Sequence, residues 1–144
     1  MAMKNWIKIE FPGTSVNVGF ARAAIAHFAA QLDITLDELE DIKVAVSEAV
    51  SNCVVHGYRE KSGNVVVEAS YEGPRLEIIV EDFGHGIPDI ATAQETGYTT
   101  LPEERMGLGL TFMGECMDEL RLYSEVNVGT KVVMVKNIPE RQLG

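Results

Sequence analysis

The sequence predicts an α+β fold, a two-layer sandwich in which one mixed, mostly antiparallel sheet is covered on one face by three helices. Three observations carry that expectation. Along 144 residues the patterns run strand, helix, helix, strand, strand, long loop, helix, strand, strand. Four of the strands come in pairs joined by short glycine-containing turns, and the helices fall in blocks between strands instead of after each one. No repeat, low-complexity tract or linker divides the chain, so residues 1–144 are expected to form one domain with one core.

Trp6 to Phe11 alternates, with Ile7, Ile9 and Phe11 on one side and Lys8 and Glu10 on the other, as a half-buried strand does; Pro12-Gly13 ends it. An alanine-rich helix over about Ser15 to Leu32 follows. Arg22 is its one Lys or Arg, readable either as a solvated charge or as an interface anchor on a smooth surface. The next helix, Thr35 to Gly57, is delimited by a Thr35/Glu38 capping-box pattern and a terminal glycine. Leu39, Ile42, Val46, Ala49, Val50 and Cys53 form its core stripe. After Lys43 it keeps a single formal charge, Glu48, with Asn52 and His56 one and two turns further on. Val44, Ala45 and Val55 share that flank, which is expected to be shielded from bulk water. The helix alone leaves two readings open: a solvated Glu with an Asn partner, or a carboxylate base and an amide metal ligand facing a pocket.

Val65 to Tyr71 and Arg75 to Asp82 read as a hairpin through Glu72-Gly73-Pro74. Thr92 to Met106 has little periodicity and is expected to be a functional surface loop. Gly107-Leu108-Gly109-Leu110 is expected to open the third helix, and Phe112, Met113, Cys116 and Met117 are available to the core. A last hairpin joins Glu119 to Tyr123 and Thr130 to Val135.

A net charge of −10 and a pI near 4.7 oppose a nucleic-acid-binding surface and favour a basic or mixed-charge protein partner. No apolar run reaches the roughly 18 residues of a membrane span, and MAMKNWIKIEF lacks a signal-peptide apolar region, so a cytoplasmic location is expected. Cys53 and Cys116 fall in apolar helical patterns and read as buried thiols; Cys53 with His56 is only half of a zinc pattern.

Two glycine pairs, Asp82-Phe83-Gly84-His85-Gly86 and Gly107-Leu108-Gly109, flank the long loop. Glycines let backbone N–H groups approach an anion, and a helix starting at Leu108 would add its positive end. Neither pair is a Walker A loop or a complete GxGxxG. The Asp-Phe-Gly triplet matches protein kinases by accident, because no strand lysine or HRD loop accompanies it. An Asp closing a buried strand can instead accept a hydrogen bond from an exocyclic amine such as that of adenine.

Taken in order, Glu-x-x-x-Asn on a helix, Asp-x-Gly-x-Gly after a strand, Gly-x-Gly and a final Gly-Thr before a strand resemble the GHKL (Bergerat) ATP-binding fold shared by gyrase, histidine kinases and MutL. GFAR, SEAVSNCVVHGY and GYTTLPEERMGLGL are similar to the anti-sigma-factor serine kinases, most of all those of the sporulation sigma-F type. That resemblance implies Glu48 as general base and Asn52 as the ligand of Mg²⁺ on ATP or ADP. It implies Asp82 as the adenine reader, Gly84 and Gly86 shaping the base pocket, and Thr130 making a water-mediated base contact. Gly107, Leu108 and Gly109 become the phosphate cradle, and Thr99, Thr100 and Arg105 parts of an ATP lid around residues 90–107, Arg105 reaching the terminal phosphate. Arg22 matches a partner-contacting Arg. The implied partners are a sigma factor, an anti-anti-sigma protein with a STAS domain phosphorylated on serine, and a second copy in a homodimer. The lid is one residue short before Arg105, and Met106 replaces a small hydroxyl residue. Rival readings are the ATP-binding core of a histidine kinase and a nucleotide-dependent binding module without chemistry.

Overall fold

The computed structural model describes residues 4–57, 63–84 and 101–139, with backbone alone at 56–57 and 101–107. The elements are β1 (Lys4–Pro12), α1 (Val16–Ala29), α2 (Leu36–Asn52) continuing into a π-helical turn at Cys53–Gly57, β2 (Asn64–Glu72), β3 (Arg75–Asp82), α3 (Leu101–Cys116), β4 (Glu119–Glu125) and β5 (Gly129–Asn137). The strands form one sheet in the order β1-β2-β3-β5-β4, with all three helices on one face.

Every neighbouring pair is antiparallel, so the sheet is not mixed. Chain direction explains this. Two helices between β1 and β2 reverse the chain an odd number of times overall. β4 does run parallel to β3, but β5 lies between them and is antiparallel to both. The β2–β3 turn places Gly73 at φ 57 before Pro74, the sign pattern of a two-residue type II′ hairpin. In the β4–β5 turn the Val128 N–H donates to the Glu125 carbonyl, and Asn127 takes the left-handed conformation at φ 64.

Alternation along the strands sends Phe11, Val67, Ile78, Val80, Val132 and Met134 toward the helices. Ile25 and Phe28 from α1, Ile42, Val46 and Val50 from α2, and Met113 from α3 fill the other half of the core. Tyr71 stacks at 5.3 Å from Phe28 and satisfies its hydroxyl on Gln31. The opposite face carries ion pairs such as Lys8 with Glu68 and Arg75 with Glu119, and among them Val66, Val133 and Val135 are buried as well. Among the described residues no helix is long and apolar enough to cross a membrane.

Both ends of α2 follow from local chemistry. The Thr35 side chain accepts from the Glu38 N–H at 3.1 Å while Glu38 accepts from the Thr35 N–H at 2.9 Å, completing the capping box. At the far end the ladder widens into the π turn rather than closing as an α-helix at Gly57. α1 stops at Ala29, earlier than its apolar pattern suggests, and Leu32 packs on the core from the turn beyond.

The third helix differs most from expectation. It begins at Leu101, so residues 101–106 are helical rather than loop, and Gly107-Leu108-Gly109 lies inside the helix instead of opening it. Pro102 in the first turn is pre-set for a helix, and Glu103 and Glu104 suit its positive end. Three interior glycines, Gly107, Gly109 and Gly114, cost about 1 kcal/mol each, which Leu110, Met113 and Met117 offset by burial. Phe112 is 43% exposed and does not join the core. The other end of α3 is held by Lys136, a buried lysine whose Nζ donates to the Cys116 carbonyl and to Asp41 of α2.

Gly129 sits at φ 146, and a Cβ there would run into the Asp82 carbonyl and the Phe83 Cα. Gly129→Ala is therefore expected to lower stability by about 2–3 kcal/mol, and Thr35→Ala, which loses one cap, by about 1 kcal/mol. Urea denaturation orders the two; a Gly129→Ala variant no weaker than Thr35→Ala contradicts the strained turn.

Candidate functional site

α2 crosses the sheet between α1 and α3 with its stripe of Ile42, Val46, Ala49 and Val50 fully buried. That packing fixes the rotation of the helix, and with it the direction of Glu48 and Asn52, which stand one turn apart at the α3 side. Both are half-buried. A Cβ built on Gly109 would come within 2.9 Å of Glu48 Oε2 and within 3.4 Å of Asn52 Oδ1. α3 thus approaches the carboxylate and the amide so closely that its contact residue is a glycine. The flank expected to be shielded divides among the described residues: Ala45 is fully buried, while Val44 is 41% and Val55 50% exposed.

Asp82 ends β3 on the row Val65, Asp82, Thr130, Ser124 that runs across β2, β3, β5 and β4 on the helix side. Its side chain is buried. The Gly84 N–H donates to Oδ1 at 3.0 Å. Burial pushes the Asp82 carboxyl above its ordinary value, and the donors around it, Gly84 first with Cys53 and Thr130 nearby, only partly offset that. The Cys53 thiol is pushed well up, first by burial and then by the Asp82 charge, so it keeps its proton. At this end of the sheet a cleft of about 320 Å³ opens, lined by Glu81, Tyr123 and Lys131 of the outer row as well as by Asp82, Thr130 and the β4–β5 turn, so it wraps the sheet end rather than lying on the helix side alone. Phe83 is 58% exposed beside it.

The structure therefore gathers the predicted residues into two clusters joined by the end of α2. Glu48, Asn52 and Gly109 form one, and Asp82, Gly84 and Thr130 the other. Cys53, one residue past Asn52, is buried near enough to Asp82 for the carboxylate's charge to raise its pKa. Arg22 is exposed on α1, its guanidinium donating to Ser47 Oγ at 3.4 Å. Gly107, Leu108 and the backbone of Arg105 belong to α3; the Arg105 side chain, Gly86, Thr99 and Thr100 lie outside the described residues, as does the His56 side chain.

Sequence reasoning missed three contributors. Cys53 read only as a small core residue, Gly129 only as a turn, and Ser124, whose Oγ lies 3.0 Å from Thr130 Oγ1, carried no signal. The strand register brings them together, and the one usable hint was the Gly-Thr pair.

Among the described residues no group of three or more His, Cys, Asp and Glu could hold a metal ion. Mg²⁺ needs no such cage, since it keeps water and phosphate ligands and takes one or two protein oxygens. The half-buried Asn52 amide oxygen, against Gly109, is a suitable hard ligand.

Comparison with known proteins agrees with this geometry. The sequence profile of the histidine kinase-like ATPase domain matches residues 11–136. An anti-sigma F factor of Clostridium kluyveri is 52% identical over 92% of this chain and 94% of its own. Those of Clostridium perfringens and Anoxybacillus flavithermus are 49% and 44% identical, each over 94% of this chain and over 99% and 94% of their own. Among solved structures, the RsbU and RsbW domains of a Mycobacterium tuberculosis protein superpose with a TM-score of 0.70 at 23% identity, over 97% of this chain and 35% of that one. A blue-light-activated histidine kinase domain from Erythrobacter litoralis gives 0.61 at 21%, over 89% of this chain and 62% of that one; both likenesses concern the fold. With its five-stranded antiparallel sheet, its three helices and these relatives, the chain belongs to the anti-sigma F factor family of histidine kinase-like ATPase domains.

Proposed function

We propose that this protein binds and silences a sigma factor and, using ATP with Mg²⁺, phosphorylates a serine of the STAS-domain antagonist that competes for it. The observation that supports this most directly is the meeting of Glu48, Asn52 and Gly109 at one contact between α2 and α3. A carboxylate and an amide oxygen side by side are what phosphoryl transfer asks of a protein, a proton acceptor and a metal ligand, and the glycine backbone against them can offer N–H groups to phosphate oxygens once it moves away.

In this reading Glu48 accepts the proton of the attacking serine hydroxyl, a role typically worth about 10²–10⁴-fold. Asn52 holds Mg²⁺, which neutralises phosphate charge when bound. Asp82 accepts a hydrogen bond from the adenine amino group, and Thr130 lies beside it for a water-mediated contact. Gly107 to Gly109 offer N–H groups to the phosphates once the turns of α3 upstream of them open, because inside the helix those groups are committed to the ladder. Arg105 and the hydroxyls of Thr99 and Thr100 serve the terminal phosphate. Arg22, isolated on the alanine-rich face of α1, contacts the protein partner, and two copies of the chain form the working unit in the cytoplasm.

A histidine kinase core is the second reading, favoured by the fold it shares with the Erythrobacter domain. A sequestering module without chemistry is the third, and it has no use for a carboxylate at Glu48. Labelled ATP with a STAS-domain partner separates them: label on serine, label on histidine, or none.

Two outcomes follow for variants. Glu48→Ala is expected to bind Mg-ATP in calorimetry while losing about 10²–10⁴-fold in transfer rate; undiminished phosphorylation removes Glu48 from the base role. Asp82→Asn is expected to lose adenine affinity without losing stability. The raised pKa of Asp82 means its contribution to folding is complete below the ordinary carboxylate range and is lost as pH rises through the raised value. Thermal melts near pH 7 should therefore place Asp82→Asn level with or above the parent, with the gap closing as pH falls.

A further inference from the structure

We infer that Asp41 and Lys136 are positioning residues for Glu48 and Asn52: their hydrogen bond sets the height of α3 along α2, so that Gly109, which has no side chain, stays opposite the carboxylate and the amide. The inference rests on the proposed roles of Glu48 as base and Asn52 as metal ligand, and adds to them a pair that acts from two turns away.

The two helices meet at two polar points in matching order. Asp41 and Glu48 stand two turns apart on α2, and Cys116 and Gly109 stand two turns apart on α3. At one point the Gly109 backbone comes up against Glu48 Oε2 and the Asn52 amide. At the other, the Lys136 ammonium of β5 donates to the Cys116 carbonyl and, at 3.3 Å, to Asp41 Oδ2. The end of α3 is also fixed to the sheet by its own backbone. The Asp118 N–H donates to the Val135 carbonyl at 2.8 Å, and Asp118 Oδ2 accepts from the Asn137 N–H at 2.7 Å. Asp41 carries that fixed point across to α2. The Lys136 side chain is 10% exposed and that of Asp41 46%, so packing holds the lysine and the aspartate is the end that can let go.

Height matters because Gly109 is flanked by side chains. Leu108 and Leu110 adjoin it along the chain, and Phe112 follows one turn on. A slide of about 1.5 Å, the rise of one residue, takes Gly109 off the carboxylate. Leu110 and Met113, both buried, fix the rotation of α3, but apolar contact is non-directional and resists such a slide weakly. A hydrogen bond resists it, since it weakens steeply outside its own geometry. When the glycine backbone draws back for phosphates, the same register keeps its N–H groups, and not a leucine side chain, before Asn52.

Two measurements on the full chain test this. The first needs neither metal nor nucleotide. The position of a Cβ at Gly109 lies 3.5 Å from Asn52 Nδ2, so a Gly109 α-proton and the Asn52 side-chain amide should share a nuclear Overhauser cross-peak. Asp41→Ala should weaken it, while Asp41→Asn, which keeps an acceptor for Lys136, should retain it. The second is calorimetry with ATP in EDTA and in Mg²⁺. The parent should gain affinity from the metal. Asp41→Ala should cut that gain about 3- to 10-fold, the range of one net hydrogen bond, with the affinity in EDTA unchanged, and Asp41→Asn should keep it. A substitution that only loosens the fold would lower both affinities alike. Should Asp41→Ala lose its cooperative melt, Lys136→Met fills the space without a donor and answers the same question.

A parent that gains from Mg²⁺, with the gain unaltered in the variants, overturns the inference and leaves the Asn52 assignment standing, whatever the cross-peak does. A parent whose ATP affinity ignores Mg²⁺ overturns both. In an Asn52→Ala background Asp41→Ala should have no further effect on the gain; an effect that persists there refutes action through the site.

Discussion

Everything at the site depends on the rotation of one helix. Ile42, Ala45, Val46, Ala49 and Val50 of α2 are excluded from water, and burial of large apolar side chains of this kind is worth about 1.5–3 kcal/mol each. Turning α2 to present Glu48 and Asn52 elsewhere would expose that stripe, so the hydrophobic core sets the aim of two polar side chains that contribute little to it. The sheet imposes the matching constraint from below. Its register puts Asp82, Thr130 and Ser124 in one row, and Gly129 lets β5 close on the Asp82 carbonyl. Helix rotation and strand register are each fixed by many residues, and the end of α2 brings the two clusters close, Cys53 lying near Asp82.

Buried charge at Asp82 fits the pattern of a site that sacrifices stability for recognition. A carboxyl whose ionised form is disfavoured by burial, despite the donors around it, is not there to hold the fold together. Lys136 makes an informative contrast. It is also buried and charged, yet both of its partners, the Cys116 carbonyl and Asp41, belong to elements it joins. That buried charge ties α2, α3 and β5 together, whereas burial works against the charge on Asp82.

Much of this was legible in the amino acids. The alternation of Ile7, Ile9 and Phe11, the Thr35/Glu38 box and the Gly73-Pro74 turn are local features, and local features translate directly into elements. The pairing of Glu48 with Asn52 needed only helical spacing. The start of α3 was misread because Gly107 and Gly109 suggested a boundary, while the capping chemistry of Pro102, Glu103 and Glu104 lay upstream in a stretch with no apolar period. The openness of Val44 and Val55 depends on which neighbours cover a helix, which no periodicity encodes. Cys53 and Gly129 matter through residues roughly thirty to fifty positions away, and only the register reveals such partners.

The clasp at the end of α3 ties three elements at one point. Lys136 of β5 reaches both the Cys116 carbonyl and Asp41 of α2, and Met113 and Met117 are buried beside it, so the last turns of α3 keep their place despite Gly114. A displacement of α3 against α2 is therefore hinged at this clasp and is transmitted to the sheet through β5.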